Sequence, residues 1–345
     1  MAQKRVYYAC EAVGFADYQN TPTTYQAARG VQSVGVNTTF NLEQVFEVGQ
    51  LDIYDNVENL PDVEVTMEKV LDGYPLLFHL ATQGATAGTL VGRSNQRCNV
   101  ALSIFADTNT TASGNQLSQC ILSGMYVSQV GYDIMVEGAA KETITLVGNN
   151  KVWITGGYTF TGFTAAMGIT SYDPAAPEGT NRRQHLIMPS CVWPLAIRGI
   201  SSSGTNNPVD DTQFQVAIQS VRASTNLGRE MMLELGRRGP YFRYVQFPVQ
   251  VTTNIEIMAK DGDMVNATEA GVLSYGHNVG NERIYLQMQE GLRLDLGTKN
   301  KLNTVTYGGA NAGRSGGNAT ISYQFQGWSI FTVQHPADPT VPLRP

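Results

Sequence analysis

Residues 63–70 set Val63, Val65 and Met67 against Glu64, Thr66 and Glu68. That period of two is what a strand with one buried face requires. The same reading predicts strands over residues 32–40 and 43–48, separated by a polar step, and a short helix from Pro75 after the Asp72-Gly73 turn. A strand pair over 125–136 and 143–153 closes the first half of the chain, and 284–296 with 320–333 closes the second. Residues 81–118 read as a polar insertion with a strand-like middle at 99–105, and 171–185, which contain Pro and Gly, as a linker. No apolar run reaches the roughly 18–20 residues of a membrane helix, and the first residues lack the apolar core of a signal peptide. The expectation is a soluble chain that uses no membrane.

The pattern occurs twice. Residues 31–66 written over 218–253, at a constant offset of 187, agree at ten of 36 positions. These are Gln32/Gln219, Ser33/Ser220, Val34/Val221, Thr38/Thr225, Glu43/Glu230, Glu47/Glu234, Gly49/Gly236, Tyr54/Tyr241, Pro61/Pro248 and Thr66/Thr253. Asp72-Gly73 is answered by Asp261-Gly262, and residues 264–269 answer the helix that starts at Pro75. An internal repeat of this size organises a whole fold. The predicted class is mainly β: two tandem antiparallel β-sandwich or barrel-like domains, each with a short helix, over residues 1–175 and 176–345.

The run Val31-Gln32-Ser33-Val34, then Phe46-Glu47-Val48-Gly49, then Pro61 followed by Val63 to Glu68 and Asp72-Gly73, resembles the tail tube proteins of tailed bacteriophages. The segment from Leu233 to Tyr241 leading into Pro248 to Ile257 is similar to them as well. The resemblance implies a β-sandwich with one helix, rings of six domains stacked into a hollow tube, no cofactor and no enzymatic activity. Members usually carry one such domain, whereas this chain reads as two, so three chains would fill six places around an axis. The partners it implies are copies of the chain, as a homotrimeric pseudo-hexameric ring or a hexamer stacked into a tube. Tail sheath, baseplate and tape-measure proteins are further partners, and DNA passes without specific binding. The implied location is the virion tail, after synthesis in the host cytoplasm. The rival readings are a baseplate or capsid decoration protein, a secretion-system inner tube, and a carbohydrate-binding or carbohydrate-cleaving β-protein.

Composition narrows these options. Hydrophobic residues are 42% and charged residues 15% of the 345, which excludes disorder, and 35 glycines among many Thr, Ser, Asn and Val residues favour short strands and tight turns. The net charge of −6 excludes a protein that grips nucleic acid through a basic face. It is unevenly spread, −9 over residues 1–180 and +3 over 181–345. Residues 42–72 hold nine carboxylates and only Lys69, while the matching 229–259 hold Arg229, Arg237, Arg238 and Arg243. The expectation is that the acidic copy of one subunit faces the basic copy of the next.

No motif in the chain supports catalysis. Gly308 to Ser315 has Walker spacing, but Arg314 stands where lysine is required and a strand follows where phosphate binding needs a helix. His79, His185, His277 and His335 show no metal-ligand spacing, and no serine lies in a nucleophile elbow. Cys10, Cys98, Cys120 and Cys191 lack any Cys-x-x-Cys spacing and read as buried thiols. Tyr241, Phe242, Tyr244 and Phe247, interleaved with Arg243, fit a subunit interface better than stacking on single-stranded nucleic acid. No catalytic, cofactor-binding or metal-binding residue is assigned.

Overall fold

A computed structural model of the chain describes residues 6, 8–18, 24–85, 87–105, 116–161, 186–194, 197, 217–259, 262, 265, 280–309 and 317–338. The chain is mainly β, as its alternation predicts. Its first half holds β1 (Glu11–Asp17), β2 (Thr24–Ala27), β3 (Val31–Thr39), β4 (Leu42–Phe46), β5 (Ile53–Glu58) and β6 (Asp62–Val70). Helices α1 (Leu77–Ala81) and α2 (Leu90–Ser94) follow, then β7 (Arg97–Phe105), β8 (Gln116–Met135), β9 (Lys141–Gly148), β10 (Asn150–Thr155) and β11 (Thr159–Thr161). The second half holds β12 (Ala217–Asn226), β13 (Arg229–Met232), β14 (Phe242–Val245) and β15 (Gln250–Met258). It ends with β16 (Tyr285–Gln287), β17 (Arg293–Asp295), β18 (Lys301–Gly308), β19 (Thr320–Trp328) and β20 (Thr332–Gln334).

Two sets of strands share one arrangement. β3 pairs antiparallel with β6, and β4 and β5 form a separate hairpin between them; β12, β15, β13 and β14 do the same. Both long pairs bulge at one place, stepping from Val31 opposite Lys69 to Ser33 opposite Glu68, and from Ile218 opposite Ile257 to Ser220 opposite Glu256. Gln32 and Gln219 are the extra residues. Next in each set comes β9 or β19, with Val63 opposite Gly148 and Val251 opposite Gly327. Last comes β8 or β18, bulged at Ser128 or Asn303. A side chain at Gly148 would collide with Met125, and one at Gly327 with Asn300, the same juxtaposition in both sets.

These registers correct the gap-free alignment. Val34 faces Met67 and Val221 faces Ile255, so β6 maps onto β15 at an offset of 188 rather than 187, because the turn at 246–249 is one residue longer than that at 59–61. At 188 the buried Val63, Val65 and Met67 fall on the buried Val251, Thr253 and Ile255. Thr66 is exposed and Thr253 buried, so that identity marks no equivalent position; a slip of one residue turns a side chain to the other face.

The sets join in one sheet. β8 is 20 residues long. Its first half pairs with β7 and β10, and its second half with β9 and β12. The resulting ladder runs β3-β6-β9-β8-β12-β15-β19-β18, with β7, β1, β2 and β11 extending from the first half of β8. α1 packs on β1, β7, β8 and β9, and the small β16-β17-β20 sheet supplies Leu286, Leu294 and Val333 to the same apolar core.

Several sequence expectations change in consequence. The supposed insertion at 81–118 contains α2 and β7, an almost wholly buried strand beside β8. Residues 284–296 are two short strands and a turn, 143–153 spans parts of β9 and β10, and the strand pair closing the second set is β18 with β19. β1 and β5 carry no signal that the alternation detected, since β1 is buried on both faces and β5 is exposed throughout. The linker at 171–185, the helix at 264–269 apart from Val265, and the limit between residues 175 and 176 lie outside the described residues.

Candidate assembly surfaces

One face of the ladder is polar across all eight strands. A single row of opposed residues reads Ser33, Glu68, Thr143, Gly131, Ser224, Thr252, Gln326 and Lys301. The next row includes Lys141, Asp133, Arg222, Asn254, Gln324 and Thr304. Charges on this face largely cancel: Lys141 bonds Glu68 at 2.8 Å and Arg222 bonds Asp133 at 3.2 Å, leaving Glu64, Glu256 and Lys301. The opposite face carries Met67, Ile144, Val130, Val251 and Phe325 into the core. Short hydroxyl and amide side chains on one face and aliphatic ones on the other follow from strand alternation.

The ladder has two uncovered edges. Among the described residues no strand pairs with the outer side of β3 or of β18. Their counterparts β12 and β8 pair with each other, and that pairing buries Val221, Ala223, Thr225, Val130 and Tyr132. At the free edges the equivalent Val34, Val36, Thr38 and Val305 are only half-buried, and Tyr307 is 52% exposed.

The two hairpins differ in the same sense. β13–β14 lies against the first set: Arg229 Nε donates to Val127 O at 2.8 Å, Arg243 donates to Asp62 at 2.8 Å and Asn149 at 3.2 Å, and Phe242 meets the Tyr126 ring edge-on at 5.3 Å. Burial lowers the Arg229 pKa to about 10. β4–β5 touches no counterpart of these groups and stays exposed along its whole length, with Phe40, Leu42, Phe46 and Tyr54 at 57–69%. Beside the packed hairpin is a cleft of about 450 Å³ lined by Arg97, Arg237, Arg238 and Arg243, with Arg97 over the Tyr18 ring at 4.1 Å.

The ionisable residues of the core hold the layers together. Glu142 accepts from the N–H groups of Leu77 at 2.6 Å and Phe78 at 3.1 Å and from Tyr132 Oη at 3.0 Å. It thereby serves the start of α1, where Leu76 offers no cap. Burial pushes its carboxyl above the usual range, against the pull of these donors and of Lys69. His79 in α1 faces Val333 O at 3.2 Å and Asp338 at 3.6 Å, and Arg93 pairs with Asp338. Burial, reinforced by Arg93, lowers His79 to about 4; burial, reinforced by His79 and Lys69, lowers His335 to about 3. The fold thus brings together two histidines that the sequence leaves 256 residues apart, but in a closed core.

The remaining sequence candidates are placed as follows. All four cysteines are buried free thiols, and burial raises Cys98, Cys120 and Cys191, with Cys191 near 11. Arg237 and Arg238 stand at the cleft, and Phe242 and Arg243 lie at the contact between the two strand sets. His185, His277 and residues 310–315 of the Walker-like run lie outside the described residues. Among the described residues no group of three His, Cys, Asp or Glu side chains is arranged to hold a metal, and no helix is long and apolar enough to cross a membrane. Which strands are edges was not legible in the sequence, because the bulge at Gln32 and Gln219 occurs in the edge strand β3 and in the interior strand β12 alike.

No protein-family model matches this chain, and a search of curated proteins finds no match. Solved structures align with part of it. A chain from the cryo-EM structure of the anti-feeding prophage baseplate, 6-fold symmetrised, is 13% identical over 45% of this chain and 98% of its own, with a TM-score of 0.34. A chain from the sheath–tube complex of the extracellular contractile injection system PVC, in its extended state, is 10% identical over 45% and 94%, at 0.33. A chain from the tube-terminating cap of the anti-feeding prophage is 11% identical over 45% and 94%, also at 0.33.

Proposed function

We propose that the protein is a non-enzymatic structural component that forms the rings of a tail-type tube, three chains to a ring, with the polar face of the ladder lining the bore. The supporting observation is that one strand arrangement occurs twice in register and leaves unlike, complementary edges free, β3 at one end and β18 at the other. An interface between unlike edges is heterologous, and it closes when its rotations sum to a full turn. The two strand sets are read as copies of one ancestral domain, so three chains supply six copies. Helices and small sheets cover the apolar face, which leaves only the polar one to face a channel. Three ladders of eight strands, spaced by about 4.8 Å and tilted by roughly 40°, give a barrel with a backbone diameter of about 48 Å. A wall of Ser, Thr, Asn and Gln in which Glu64 and Glu256 outnumber the exposed Lys301 gives phosphates little cationic hold, which suits the passage of DNA.

The test is the mass and appearance of the purified chain. Light scattering is expected to give three times the 37.5 kDa chain mass, and electron microscopy rings or tubes with an open centre. A chain that stays single at high concentration, or that forms cages, overturns the reading.

A further inference from the structure

We infer, on the basis of the ring reading above, that neighbouring chains join by repeating the contact that already joins the two strand sets inside one chain. β18 of one chain pairs antiparallel with β3 of the next, whose β4–β5 hairpin lies over the first chain's second set and brings Asp55 against Lys301.

The internal contact is the template. There Ala223 is opposite Tyr132, Ser224 opposite Gly131 and Thr225 opposite Val130. The shared registers make β3 equivalent to β12 and β18 equivalent to β8, so the contact between chains sets Val36 opposite Tyr307, Asn37 opposite Thr306 and Thr38 opposite Val305. This pairing extends the apolar face over Val36, Thr38, Val305 and Tyr307, the side chains the lone chain leaves partly open. It also supplies partners to strands of nine and eight residues, whose free N–H and C=O groups otherwise invite indiscriminate pairing.

The hairpin gives an independent argument. Its position follows from β13–β14, where Phe242 meets Tyr126. Asp55 occupies the place of Phe242 and Lys301 that of Tyr126, so an aromatic pair inside the chain becomes an ion pair between chains. Residues 42–58 carry five carboxylates and no Lys or Arg, and the receiving surface exposes Lys299 and Lys301. That complementarity names the occupant as a second copy of this chain.

Two experiments on the full chain decide the matter. Asp55→Lys or Lys301→Asp alone is expected to weaken ring formation by about tenfold, and the double swap to restore it. Asn37→Cys with Thr306→Cys is expected to give, on mild oxidation, a covalent closed ring, since both residues are exposed and the native thiols are buried. Asn37→Cys with Thr304→Cys, displaced along the strand, is the control and should link poorly. Thermal midpoints of all variants should match the parent, because each change lies at an exposed position. Rings that form with neither rescue nor linkage overturn this interface and leave the ring reading standing. A chain that never assembles overturns both.

Discussion

Glu142 and Ile321 occupy equivalent places in β9 and β19, yet one is a buried carboxylate and the other a core aliphatic. The difference follows from what each meets. In the first set α1 presents two N–H groups that lack a capping side chain, and Glu142 accepts from both. Glu142→Ala would strand these donors and the Tyr132 hydroxyl in the core, so we expect a loss of about 3–5 kcal/mol, read as a lower thermal midpoint and denaturant midpoint. An unchanged midpoint would mean that water or another side chain replaces the carboxylate. None of this was legible in the sequence, because Glu142 sits in a normal alternating pattern and its partners are 64 residues or more away along the chain, apart from Tyr132. The cluster of His79, Arg93 and Asp338 was hidden for the same reason.

At the scale of elements, alternation found β3, β4 and β6, and in β6 the residues that it buries, since β6 has one face in the core and a polar step separates β3 from β4. It lost phase where a turn changed length. The three-residue turn before β6 and the four-residue turn before β15 keep both strands in the same orientation toward the core. A residue inserted at 59–61 should therefore be tolerated, with little change in midpoint. The same insertion after Val65 would move Met67 and Lys69 to the polar face and unfold the first set, a contrast that circular dichroism and thermal melts can read. The strand predicted at 99–105 is β7, but it was placed in a polar insertion because its sequence lies between polar stretches, while its burial comes from β1 and β8 on either side.

At the scale of the molecule, the contact inside the chain and the proposed contact between chains use the same backbone geometry with different side chains. The inner one is aromatic and arginine-rich, with Arg243 on Asp62; the outer one is acidic hairpin on lysine. Rings should hence dissociate as salt shortens the screening length from about 10 Å at 0.1 M to about 3 Å at 1 M, before the chain unfolds. Sedimentation at rising salt, with the thermal midpoint followed in parallel, checks this; assembly indifferent to salt would leave backbone pairing and apolar burial as its only source. The sequence by itself determined the mainly β class, the repeat and the opposed charges of its two parts, because alternation, turn residues and charge are local properties of the chain. Only the tertiary structure decided which strands are edges, which face is polar from end to end and which hairpin is left uncovered, because strand order and register are set by residues far apart in sequence that meet across the core.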